Sequence, residues 1–239
     1  MCGRFTLHTE KELLARRFQI DLGEQEVSPR YNIAPTEQVL VARWLDGTRT
    51  ADRMRWGLVP HWTRDPREGP GLINARIEGV ARTPAYRDAF RRHRCLILAD
   101  GFYEWRAASG PGRTKVPHWF SLADRAPFAM AGIWASWRKS DDLFADSLPI
   151  LRSCSILTTA ANTAVAPIHG RMPVILHPEA EAAWLDPSLD GNSERLLELL
   201  VPVSAEALRV RPVSRRVNSV RNQGPDLLEA FDEDDPNYF

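Results

Sequence analysis

Apolar positions along this chain fall mostly into short runs broken by glycine, proline and polar clusters, the pattern of strands more than of long helices. Phe5-Thr6-Leu7 reads as a strand. Thr9-Glu10-Lys11-Glu12 resembles a capping box, and Leu13, Leu14, Arg17 and Phe18 continue a helix behind it. Residues 28–36, with Pro29 and Pro35, read as a loop. Val39–Leu45 and Thr48–Leu58 read as strands joined by an Asp46-Gly47 hairpin turn. Pro60–Pro70 reads as a loop and Gly71–Arg76 as a short extended segment. Thr83-Pro84 opens a helix with the apolar stripe Tyr86, Ala89 and Phe90. Cys95–Ala99 is a strand, and Phe102–Trp105 is aromatic and extended. A turn over Gly110–Lys115 precedes two strands, His118–Leu122 and Phe128–Trp137, expected to form a hairpin. Arg138–Leu148 reads as a polar surface insertion. Strands follow over Cys154–Ala161 and within Ile168–Leu176, then helices at Pro178–Leu185 and Ser193–Leu200, and a last strand at Val210–Val213. No βαβ alternation and no repeat is visible. The expectation is a single α+β domain over residues 1–239, with a curled, barrel-like, mostly antiparallel sheet, flanking helices and an acidic tail from about residue 226.

Composition narrows the class. The 239 residues are enough for one sizeable core, and the apolar (44%) and charged (26%) fractions are those of an ordinary globular chain. No run approaches the ~20 apolar residues of a membrane span, and no secretory signal pattern is present. Three cysteines without a C-x-x-C pair argue against a disulfide scaffold or a structural zinc site, and Cys95 and Cys154 sit in strand-like runs as buried, inert thiols. A reducing cytoplasm fits. Net charge is zero, yet five arginines lie between Arg82 and Arg94 and five more between Ala207 and Pro225. Only Lys11, Lys115 and Lys139 are lysines among the 31 basic residues. Arginine pairs bidentately with phosphate and stacks on bases, so the clusters suit a nucleic-acid surface. A GC-rich genome would explain the total but not the clustering.

Cys2 is the chemically unusual position. Removal of Met1 would leave an α-amine and a thiol on one residue, with ordinary pKa values near ~7.7–8.0 and ~8.5. Such a 1,2-aminothiol traps an aldehyde twice, as a Schiff base and then as a thiazolidine. No P-loop, dinucleotide fingerprint, H-E-x-x-H or nucleophile elbow is present, and the six histidines show no metal-ligand spacing. Three polar residues sit in apolar or aromatic surroundings: Asn74 after Leu72-Ile73, Glu104 between Tyr103 and Trp105, and His169 after Ile168. A carboxylate between two aromatics is partly desolvated, which raises its pKa and suits it to proton transfer. The residues alone leave other readings open. Glu104 could face outward from an edge strand, His169 could be a core histidine, and Asn74 a turn residue.

Seven ordered blocks decide between them. They are Met1–Phe5, Arg30–Thr36, Arg55–Trp62, Ile73–Glu78, Asp100–Trp105, His169–Pro173 and Pro212–Asn218. Together they resemble the SOS-response-associated peptidase (SRAP) family, whose members shield abasic sites in single-stranded DNA. The resemblance implies a covalent thiazolidine between Cys2 and the ring-opened abasic aldehyde. It also implies that Asn74 orients the terminal cysteine, Glu104 acts as acid and base, and His169 contacts the deoxyribose and assists proton transfer. Arg4, Arg76 and Arg171 would hold phosphates, Trp62 and Pro35 would form an apolar wedge against a flanking base, and Asn32 would contact the strand. The implied partner is single-stranded DNA carrying abasic sites, including single-strand/double-strand junctions. The expected protein is a monomer in the cytoplasm, nucleoid-associated when acting on DNA, with no metal or cofactor. The peptidase label refers to removal of what precedes the cysteine, here Met1. Gly79 stands where the family usually has threonine, and a looser turn is expected there. Two other classes compete. One is an amidohydrolase using Cys2 as its N-terminal nucleophile. The other is a non-catalytic single-strand binder.

Overall fold

A computed structural model describes residues 2–69, 71–107, 115–138 and 150–231. Two sheets make up the frame. The first runs β12-β8-β7-β1-β2, built from β1 (Arg4–Leu7), β2 (Arg30–Ile33), β7 (Gly101–Arg106), β8 (Val116–Leu122) and β12 (Leu208–Pro212). The second contains β3 (Gln38–Leu45), β4 (Thr48–Trp56), β5 (Asn74–Arg76), β6 (Arg94–Ala99), β9 (Phe128–Trp137), β10 (Leu151–Ala160) and β11 (Arg171–Pro173), in the order β11-β10-β4-β3-β6-β9. Strand β10 pairs with β9 as well as with β4, β5 and β11, so this sheet curls back on itself like a ring. Helices α1 (Lys11–Phe18), α2 (Ile77–Val80), α3 (Pro84–Arg92), α4 (Pro178–Leu185) and α5 (Ser193–Glu198) flank the sheets. The α+β expectation holds, with the strands divided between two sheets. None of the helices described is long and apolar enough to cross a membrane.

The alternation within strands explains the packing. Residues Val39 to Arg43 of β3 and all six of β6 are buried, as expected of strands covered on both faces. Phe5 of β1 meets Trp56 of β4 edge-on at 5.1 Å, and Phe102 stacks on Phe120 at 4.8 Å. Aromatic pairs of this kind are worth roughly 0.5–1.5 kcal/mol beyond their burial. The first pair ties one sheet to the other. The chain crosses between the sheets at Asp100, which separates β6 from β7. Its buried carboxylate accepts from Thr6 Oγ1 (2.6 Å), the His8 N–H (2.6 Å), the Thr9 N–H and Thr9 Oγ1 (both 2.9 Å). Beside it, a Cβ on Gly101 would lie within 2.3 Å of the Trp119 indole, so only glycine fits.

Several local expectations are corrected. The Asp46-Gly47 hairpin forms, with positive φ at both residues. The capping box does not. Thr9 spends its hydroxyl on Asp100, and the N-terminus of α1 has no side-chain cap. Residues 30–33, expected in a loop, form β2, because Pro29 and Pro35 bracket the strand rather than interrupt it. Strands β8 and β9 are adjacent in sequence but do not pair. The first joins β7 and β12, the second β6 and β10. Gly79 lies in α2, and its carbonyl accepts from Thr83 Oγ1 at 2.9 Å, so the turn there is held rather than loose. The expected insertion at 138–148, the turn at 110–115 and the end of the acidic tail fall mostly outside the described residues.

Candidate functional site at the seam of the two sheets

Cys2 precedes β1, which is held on both sides, by β2 and by β7. That pairing draws the chain terminus into the protein, and Cys2 is fully buried. Its thiol reaches the Arg4 carbonyl at 3.8 Å, and its own carbonyl accepts from Asn74 Nδ2 at 2.8 Å. Asn74 opens β5 in the second sheet, so this hydrogen bond bridges the seam. Asn74 Oδ1 is buried with no hydrogen-bond partner among the described residues, which leaves one acceptor available beside Cys2.

Glu104 lies on β7 next to Tyr103, the residue paired with Arg4. It is almost completely buried, and burial raises its pKa above the ordinary carboxylate range, with His169 and Lys115 pulling the other way. His169 stands before β11 in the second sheet, its Nδ1 3.8 Å from Glu104 Oε1 and 3.0 Å from the Arg171 backbone N–H. Burial pushes the Cys2 thiol well above its usual range, and the Glu104 charge pushes in the same direction. A thiol so placed needs a base at hand, and the β1–β7 pairing, with Arg4 opposite Tyr103, brings the strand that carries Glu104 alongside the start of the chain. The four residues separated by 167 positions in sequence thus converge, two from each sheet.

The expected strand-contacting residues separate into two groups. Trp62 is 54% exposed. It stands between two recesses of about 230 and 360 Å³ that share Leu58, Pro60, Trp62 and Ala85. Its loop is tied to β9 by a 2.7 Å bond from Trp137 Nε1 to the Thr63 carbonyl. Arg76 is also exposed. The others are spent within the protein. Asn32 is fully buried, and its amide donates to the carbonyls of Val217 (3.1 Å), Ser219 (3.0 Å) and Asn222 (3.1 Å). It clamps the segment 217–222 and has no surface to offer a strand. Arg4 donates to Asn32 Oδ1 (2.7 Å) and the Val217 carbonyl (2.9 Å). Arg171 is paired with Glu78. Pro35 is half-buried and lines neither recess beside Trp62.

The arginine clusters divide likewise. Arg94 is buried, donating to the carbonyls of Arg91, Trp184 and Asp186 at 2.7–2.8 Å and pairing with Asp190 at 2.8 Å, which makes it a structural cross-link. Arg82, Arg87, Arg91 and Arg92 remain exposed. Sequence reasoning missed the supports of the site. Tyr86 Oη donates to the Asn74 carbonyl (3.1 Å), and Trp105 Nε1 to Asn218 Oδ1 (2.8 Å). Tyr86 lay on a visible apolar stripe, and only its hydroxyl, needing a partner once half-buried, hinted at more. Among the described residues no cluster could hold a metal ion.

The family described as SOS response associated peptidase (SRAP) matches residues 1–220. The abasic site processing protein YoqW of Bacillus subtilis is 37% identical over 232 residues, covering 96% of this chain and all of that one. The abasic site processing protein YedK of Escherichia coli is 32% identical over 235 residues, covering 96% and 99%. A crystal structure of a protein from Bacteroides thetaiotaomicron has the same fold, with a TM-score of 0.81 over 96% of this chain and 100% of that one at 23% identity.

Proposed function

The chain belongs to the SOS response associated peptidase family, and from that premise we propose that it processes abasic sites in DNA, capturing them in single strands as a covalent thiazolidine on Cys2. The observation that carries the reading is the buried Cys2, hydrogen-bonded to Asn74 across the seam, with the Glu104 strand paired to β1 and His169 beside Glu104. Its relatives named abasic site processing proteins support the substrate.

The chemistry follows from the groups present. While Met1 is attached, the Cys2 nitrogen is an amide and cannot condense with an aldehyde. Its removal, by an aminopeptidase or by the protein itself, supplies the amine. Asn74 Oδ1, the spare acceptor, would then receive an N–H of that amine and aim it. Glu104, whose pKa burial raises, serves as the acid: its carboxyl gives a proton to the sugar ring oxygen while His169 beside it takes the proton of the anomeric hydroxyl, and the ring opens to the aldehyde. The amine adds to the aldehyde carbon, and the resulting hydroxyl leaves as water with the proton held by His169, giving the protonated imine. Glu104, now a base, takes the thiol proton as sulfur attacks the imine carbon, and the imine nitrogen ends as a ring N–H. The balance is aldehyde plus aminothiol to thiazolidine plus water, with no oxidant, metal or cofactor required. His169, beside Glu104, assists the proton transfers and contacts the sugar. Exposed Trp62 stacks on a flanking base, a contact worth roughly 1–3 kcal/mol and tolerant of sequence. Arg76 and the arginines of α3 meet phosphates.

The test is direct. The purified chain, with Met1 removed, is incubated with single-stranded DNA carrying one abasic site and then denatured in detergent. A detergent-resistant adduct that requires the abasic site is expected. None is expected with Cys2→Ser, whose alcohol closes such a ring poorly, or with Met1 retained by a blocked terminus. No adduct from correctly processed protein would overturn the proposal.

A further inference from the structure

Arg171 begins β11 beside His169, and its guanidinium is already occupied. Nη1 donates to Glu78 Oε1 at 2.5 Å and Nη2 to Glu78 Oε2 at 3.0 Å, a bidentate fork of the kind arginine makes with phosphate. Nη2 also donates to the Thr158 carbonyl at 2.6 Å, and Nε is buried without an acceptor among the described residues. The two partners differ in exposure. The side chain of Arg171 is 17% exposed and that of Glu78 56%. Glu78 therefore covers the guanidinium from the solvent side, while Thr158 holds it from the protein side. The sheet register places Arg76 opposite Thr158 and Arg171 opposite Ala160, so Arg76, Glu78 and Arg171 form one small surface next to Asn74 and His169.

We propose that the Glu78 carboxylate is a built-in stand-in for a DNA phosphate on Arg171, which an incoming strand must displace before Arg171 can grip it. This rests on the strand-binding reading above and adds to it a specificity device. An acidic side chain beside a phosphate-binding arginine lowers affinity for every strand alike, lesion or not. A protein that ends in a covalent bond to its target does not need tight reversible binding to stay there. It does need to leave intact DNA. The exchange costs Arg171 little, because one ionised fork replaces another and the Thr158 bond persists through it. Ionisation of Glu78 is secure, since its bond to Arg171 lowers its pKa below the usual carboxylate range.

The experiment measures equilibrium binding of the full chain to intact single-stranded DNA, free of abasic sites, across a salt series. Each phosphate contact contributes about −0.7 to the slope of log K against log salt for single strands. Glu78→Gln should tighten binding several-fold at low salt and steepen the slope by about 0.7. Glu78→Asp keeps the charge but is too short to hold both Nη groups in place. It should steepen the slope too, and it separates release of Arg171 from loss of a charge. Arg171→Ala should weaken binding and flatten the slope, and Glu78→Gln placed in that background should leave the slope where Arg171→Ala put it. Glu12→Gln, at an exposed carboxylate on α1, measures the general effect of removing one negative charge. An unchanged slope in both Glu78 variants, with Arg171→Ala still weakening binding, overturns the stand-in role alone. No loss with Arg171→Ala removes the phosphate role of Arg171 as well, while adduct formation by the wild-type chain reports separately on the covalent chemistry.

Discussion

Replacing Glu104 by glutamine should slow the chemistry and stabilise the protein at once. Glutamine keeps the shape and the hydrogen-bonding edge but neither gives nor takes a proton at neutral pH. General acid–base catalysis contributes typically 10²–10⁴-fold, so adduct formation should slow by about that factor. Reversal should slow with it, because the same carboxyl serves both directions. Burial raises the Glu104 pKa in the folded state. Between the unfolded and the raised folded value the native state therefore holds more protons than the unfolded one, and stability falls as pH rises through that window. Each tenfold change in acidity constant corresponds to about 1.4 kcal/mol. Glutamine carries no such penalty. The variant should melt no higher than the wild type below the ordinary carboxylate pKa and a few degrees higher at pH 8, at roughly 2–4 °C per kcal/mol for a chain of this size. Two assays check it: single-turnover adduct formation resolved on denaturing gels from pH 5 to 9, and thermal melts over the same range. In the wild type the rate should rise as the Cys2 amine deprotonates and fall as Glu104 ionises, giving a bell whose alkaline limb the variant lacks. Equal rates for both proteins, or a variant melting lower at pH 8, would refute the buried acid–base role.

Other changes probe the frame and the surface. Trp62→Ala should weaken single-strand binding by about 1–3 kcal/mol in an anisotropy titration, with an unchanged melting temperature because the indole is 54% exposed. Gly101→Ala should destabilise by about 1–3 kcal/mol in urea unfolding, since its methyl group would strike the Trp119 ring. Asn74→Ala should slow adduct formation while leaving affinity for intact strands unchanged, because it frees the Cys2 carbonyl and touches no exposed phosphate contact.

Much of the frame was legible because its information is local. Apolar runs located nearly every strand, and Asp46-Gly47 carried the hairpin in two residues. What escaped were choices of partner. Nothing in β8 or β9 says that the one faces β7 and β12 while the other completes a ring with β6 and β10. Thr9 was a sound cap by sequence, but a buried carboxylate 91 positions away needed its donors more. Among site residues, Cys2 stood out as a terminal aminothiol and Asn74, Glu104 and His169 as polar groups in apolar company, but only the seven ordered blocks decided for a site over blander roles. The internal bonds of Asn32 and Arg4 went unseen for the opposite cause. They too are polar residues in a marked motif, but their partners include backbone carbonyls at 217–222, and sequence spacing does not reveal contacts between residues 185 to 213 positions apart.

The seam between the sheets resolves a conflict that the proposed chemistry sets for itself. The reactive group must be the chain terminus, yet chain termini fray unless tied down. Here β1 begins two residues after Cys2 and is zipped between β2 and β7, so the terminus inherits the order of the sheet. That alone would place the amine without aiming it. The second sheet supplies the aim, through Asn74 on the Cys2 carbonyl and Tyr86 on the Asn74 carbonyl. Arg4 and Asn32 then carry the order outward, pinning 217–222 against the far edge of the first sheet. The interior residues of the SRAP motifs therefore serve geometry, while Trp62 and Arg76 are left exposed, where the proposed strand would run. Burial has a chemical consequence as well. It holds the thiol pKa above its usual range, so in the proposed reaction sulfur would become nucleophilic only when Glu104 takes its proton beside a waiting imine.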